Sequence, residues 1–73
     1  MLGQVIVKLF ADRQIAVDEK VVRYLVTRME RSFETATRIV ETIDRLALAR
    51  RARITPALAG EALALLGAQP DGA

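Results

Sequence analysis

A chain of 73 residues has room for one domain, and with no cysteine and no histidine it must fold without disulfides or the usual zinc sites. Hydrophobic residues make up 52% and charged residues 27%, a globular balance that argues against disorder. A net charge of +2 is too small to imply a nucleic-acid partner by itself, and no apolar run reaches the ~18 residues that a membrane span needs.

The first helix is expected over residues 2–14. Leu2, Val5, Ile6, Leu9 and Phe10 recur at helical spacing, and Arg13 would suit the negative end of the helix dipole. The run Val5-Ile6-Val7 is cut by Lys8 and lacks a small-residue cleavage pattern, so it does not read as a secretory leader. The second helix is expected from Asp18, an N-cap residue followed by Glu19 in the first turn. Val21, Val22, Leu25, Val26 and Met29 would be its buried face, with Arg28 in the last turn.

Ser32 is the next N-cap, which places the third helix at 33–50. Its core stripe is read as Phe33, Ala36, Ile39, Val40, Ile43, Leu46 and Ala47. Glu34 to Arg38 and Glu41 to Arg45 are spaced as i,i+4 pairs, each worth roughly 0.2–0.5 kcal/mol on an exposed face. Thr55-Pro56 opens the fourth helix, with a cap residue followed by proline at the first helical position. Leu58, Ala62, Leu65 and Leu66 would face inward and Gly67 would end it. Gly60 inside that helix costs up to about 1 kcal/mol relative to alanine.

The reading is therefore all-α: a small bundle of about four helices over 1–67 and a disordered tail over 68–73. Short loops favour antiparallel packing of successive helices. A domain this small buries only roughly 60% of its unfolded surface, so tight packing, self-association or docking onto a larger body must support it.

Catalysis by this chain alone is not expected. Without histidine there is no Ser-His or Cys-His pair, and Ser32, the sole serine, is explained by its cap. The glycines Gly3, Gly60, Gly67 and Gly72 form no phosphate loop. The carboxylates are absorbed by caps and surface pairs, no metal site is expected, and a bundle of this size offers little room for a catalytic cleft.

Two groups of residues remain. Arg50, Arg51 and Arg53 read either as a solvated helix end, which is favoured, or as a contact to phosphate or an acidic partner. A helix-turn-helix is disfavoured, because the polar face of the third helix lacks the Asn, Gln and Ser that often read bases. Arg31, Glu34 and Arg38 bracket the start of the third helix. They read either as a loop cation beside an exposed pair, or as an arginine placed to meet a nucleotide phosphate. Val7, Tyr24 and Leu48 fall off the main stripes, as plain surface residues or as part of a docking face.

The series Val5 to Phe10, Ala11-Asp12-Arg13-Gln14, Val17-Asp18-Glu19-Lys20-Val21-Val22-Arg23-Tyr24-Leu25, Met29-Glu30-Arg31-Ser32-Phe33 and Ile54-Thr55 resembles the lid of bacterial DnaA/Hda-like AAA+ proteins. The resemblance spans about residues 2–66 and is nearest to the Hda-like group of short DnaA paralogues. It implies that the chain is a fragment, with Walker A, Walker B and arginine-finger elements in an ATPase core upstream of Met1. It implies adenine nucleotide (ATP or ADP) as cofactor of the full-length parent only, with none held by this fragment. It implies DnaA and the DNA-loaded sliding clamp as partners through that parent, in the cytoplasm, with control of replication initiation as the role. The clamp-binding peptide of such proteins is N-terminal and absent here, and the DNA-binding domain that follows the lid in true initiators is absent because the chain ends soon after Gly67, an ending that favours the paralogue. Direct DNA binding and membrane contact are not expected. One departure stands out: the sensor-two arginine of such lids falls at Glu34, whose carboxylate would repel phosphate, so Arg31 is the candidate that remains. The other readings are a free-standing DNA-binding bundle and a dimerisation module.

Overall fold

The computed structural model describes residues 2–68 and contains α1 (Leu2–Asp12), α2 (Glu19–Arg28), α3 (Phe33–Arg50) and α4 (Pro56–Ala68). Among the described residues there is no strand. α3 has the expected bounds, and α4 runs one residue beyond Gly67 to Ala68. The expected tail from Gln69 onward lies outside the described residues.

Local side chains account for the starts of α3 and α4. Ser32 Oγ accepts the Thr35 N–H at 3.3 Å, and Thr55 Oγ1 accepts the Leu58 N–H at 3.2 Å. Asp18 occupies the N-cap of α2 but makes no side-chain cap bond; its carbonyl accepts from Val21 and Val22 instead.

α1 ends two residues before the expected Gln14. The Ile15 N–H donates to the Phe10 carbonyl at 2.9 Å and the Gln14 N–H to the Ala11 carbonyl at 2.8 Å. This paired pattern closes a helix through a left-handed residue, here Gln14 at φ 60°. The turn brings Ile15 and Val17 against the core, which helix propensity at Arg13 and Gln14 could not reveal. α3 closes in the same way, with Ala52 donating to Ala47 and Arg51 at φ 51°. A left-handed conformation costs an L-residue about 1–2 kcal/mol, partly offset when glycine replaces it by glycine's larger unfolded-state entropy. Gln14→Gly should therefore stabilise the fold by about 0.5–1 kcal/mol, raising the melting temperature by several degrees. A lower melting temperature would contradict the turn geometry.

Packing departs from a simple succession. α1 packs on α2 and α3, and α4 packs on α2 and α3, while among the described residues α2 and α3 do not pack on each other. The reason is the link between them: Met29 and Ser32 are both extended, which carries α3 away from α2. The core in the ring so formed comprises Ile6 and Phe10 of α1, Val21 and Leu25 of α2, Met29, the α3 stripe Ala36, Ile39, Val40 and Ile43, and Leu58, Ala59 and Ala62 of α4.

Two expected core residues are outside. Phe33 is 67% exposed, because α2 does not cover the first turn of α3. Leu65 is 51% exposed, because Ala59 and Leu63 join the inner face of α4 and leave Leu65 at its edge. Val7 and Leu48 are surface residues, whereas Tyr24 is half-buried against α4. Glu34 pairs with Arg38 at 3.3 Å as expected. Glu41 does not pair with Arg45; it meets Arg13 at 3.4 Å, and Arg13 also binds Asp44 at 2.8 Å, joining the end of α1 to α3. No helix is long and apolar enough to cross a membrane among the described residues.

Candidate functional site

The short link before α3 puts Arg31 in solvent, next to the capped start of that helix. Among the described residues its side chain has neither an ion-pair partner nor a hydrogen bond. The N-terminal end of a helix carries partial positive charge, so an unpaired guanidinium beside it raises the local attraction for an anion. Glu34, in the first turn, would oppose this. Its carboxylate is held by Arg38, and both groups are largely exposed, which screens their charges further. Arg31 is thus a cation without a partner among the described residues at this end of α3, and Glu34 is half of a neutral pair.

Arg50, Arg51 and Arg53 lie at the other end. The 18 residues of α3 span about 27 Å at 1.5 Å per residue, so Arg31 and this cluster cannot grip one small ligand. Arg50 is engaged: its Nη1 meets Glu61 Oε1 at 2.7 Å and ties the end of α3 to α4. Arg51 forms the left-handed turn, and with Arg53 it lines a 690 Å³ cleft that also contains Asp18 and Asp44. The cluster is therefore divided, with one arginine structural and two facing solvent.

Two features were missed from sequence. Arg13 acts across helices, not on the dipole of its own helix. Tyr24 rests over Gly60, where an added Cβ would lie 2.8 Å from the phenol oxygen, and Arg28 sits 4.4 Å from the ring centroid. A glycine in mid-helix was the available signal, because its cost implies a close neighbour. A further groove of 630 Å³ between α1 and α2 is floored by Gly3, Val7, Val22 and Val26. Among the described residues no three His, Cys, Asp or Glu side chains gather closely enough to hold a metal ion.

A family model described as "Hda, lid domain" matches residues 4–63, from the first turn of α1 into the second half of α4. No curated protein and no solved structure matches the chain.

Proposed function

The chain belongs to the Hda lid-domain family, a lid of Hda-like, DnaA-related AAA+ proteins, and from that membership we propose that it is a non-catalytic lid closing over adenine nucleotide bound by a neighbouring ATPase core. The parent protein would act in the cytoplasm with DnaA and the sliding clamp to limit replication initiation. Within this reading the lid contributes a cation and a rigid helical surface, and the ATPase core contributes the phosphate-binding and hydrolytic groups.

The observation that carries the nucleotide contact is Arg31 beside the start of α3, unpaired among the described residues, with the Glu34 charge held by Arg38. A charge-assisted hydrogen bond from Arg31 to a phosphate would be worth about 1.5–3 kcal/mol. In the lid-bearing protein with its ATPase core, Arg31→Ala should weaken adenine-nucleotide binding roughly 10- to 100-fold. Glu34→Ala should change it less than about threefold, since it removes an exposed and already paired charge. Titration of a fluorescent adenine nucleotide reads both. Unchanged affinity in Arg31→Ala would remove the phosphate contact. The exposed apolar side chains are spread out, with Val7 on α1, Leu65 on α4, and Phe33 and Leu48 at opposite ends of α3, so they do not favour the dimerisation reading.

A further inference from the structure

The fold brings together two sets of cations that are far apart in sequence. Lys20, Arg23, Tyr24, Thr27 and Arg28 of α2 line a 300 Å³ cleft with Pro56 of α4. Asp18, Arg51, Arg53 and Ile54 line the 690 Å³ cleft at the end of α3. Asp18 is two residues from Lys20, and Ile54 is two residues from Pro56. Two residues reach about 7 Å at most, so the backbone segments that line the two clefts come within that distance at both chain crossings.

The charges on this joint surface are unbalanced. Lys20, Arg28, Arg51 and Arg53 have no ion-pair partner among the described residues. Arg23 is paired with Glu19 at 2.9 Å, and Asp44 is held by Arg13. Asp18 is then the one unpaired acid among the described residues that line either cleft.

We propose that this surface, formed by α2 and the α3–α4 link, binds the phosphate backbone of duplex DNA without reading its sequence. The cations sit on long side chains spread along an edge, which suits a line of phosphates better than a single compact anion. No Asn, Gln or Ser lines either cleft, and the Thr27 hydroxyl is spent on the Arg23 carbonyl at 2.7 Å. An acidic protein partner is less well matched, because protein interfaces centre on exposed apolar or aromatic anchors. Tyr24 is committed to Arg28 and Gly60, and Leu48 is the single large exposed apolar side chain on either cleft among the described residues. Arg50, Arg51 and Arg53 alone favour a solvated helix end over a phosphate contact; the addition of Lys20 and Arg28 changes that balance. The proposal is independent of any nucleotide contact at Arg31.

Fluorescence anisotropy of the 73-residue chain with a short labelled duplex tests it. Three to four phosphate contacts should weaken binding roughly 40- to 150-fold between about 50 and 200 mM salt. The double variant Lys20→Ala with Arg53→Ala should lower the slope of log affinity against log salt by about two and weaken low-salt binding at least roughly tenfold. Lys20→Arg with Arg53→Lys should keep it within about threefold, and circular dichroism checks that every variant is folded. Lys8→Ala, on the α1–α2 groove, should have little effect. Absence of binding at low salt, or equal weakening by Lys8→Ala, would overturn the proposal. Polyglutamate displacing the duplex as well as unlabelled DNA does would overturn it in favour of an acidic protein.

Discussion

Phe10→Ala should destabilise the chain by about 3–5 kcal/mol, while Phe33→Ala should cost less than about 1 kcal/mol. The two residues are of one type and both lie on expected apolar stripes, so the contrast isolates burial. Phe10 is fully buried, and its carbonyl accepts the N–H groups of Arg13 and Ile15 where α1 closes. Truncation leaves a cavity between α1 and its neighbours that the short helices cannot collapse to fill without shifting that turn. Phe33 is 67% exposed, so alanine removes little contact. A domain of this length has a total stability of about 4–11 kcal/mol, so Phe10→Ala removes most of it toward the lower end of that range. Urea denaturation monitored by circular dichroism gives both values. A Phe33→Ala cost equal to that of Phe10→Ala would mean that α2 covers the start of α3, contrary to the packing described above.

The parts of the fold that were legible in the sequence are those set by neighbours along the chain. Ser32 and Thr55 announce helix starts because their hydroxyls bond to N–H groups three residues on. The Glu34–Arg38 pair forms for the same reason. What could not be read depends on which helices meet. Glu41 has the right spacing for Arg45, yet Arg13 reaches it from α1. Phe33 and Leu65 have the right periodicity, yet no neighbouring helix covers them fully. The end of α1 was hidden because Arg13 and Gln14 favour helix, while packing of the half-buried Ile15 against the core demands a turn. The candidate site divides along the same line. Arg31 stood out in the sequence as an arginine beside a helix start, but that it lacks a partner among the described residues, and that Arg50 has one in Glu61, follows only from the fold. Lys20 and Arg28 carry no local signal linking them to Arg51 and Arg53, because only the α2–α4 contact brings them together.

That contact makes a sharp prediction at Gly60. Gly60→Ala should destabilise the chain by about 1 kcal/mol, although alanine is the better helix former by about the same amount. The new methyl group would stand 2.8 Å from the Tyr24 phenol oxygen, too close to be tolerated without movement. Tyr24 is half-buried and its ring is covered by Arg28, so the displacement must be shared with α2, at an overpacking cost of about 1–3 kcal/mol. Removing the hydroxyl removes the conflict: in Tyr24→Phe the nearest ring carbon is 3.6 Å from the added methyl, an ordinary contact. In that background Gly60→Ala should stabilise the fold by up to about 1 kcal/mol. The sign of the substitution therefore reverses with one oxygen atom, and the coupling energy should be about 2 kcal/mol across the four proteins measured by denaturation. Gly60→Ala that stabilises equally with and without the hydroxyl would show that Tyr24 does not rest on α4. The same experiment bears on the cationic surface. Because Tyr24 positions Arg28 beside Pro56, displacement of the ring by Gly60→Ala should also weaken duplex binding, and Tyr24→Phe should restore it.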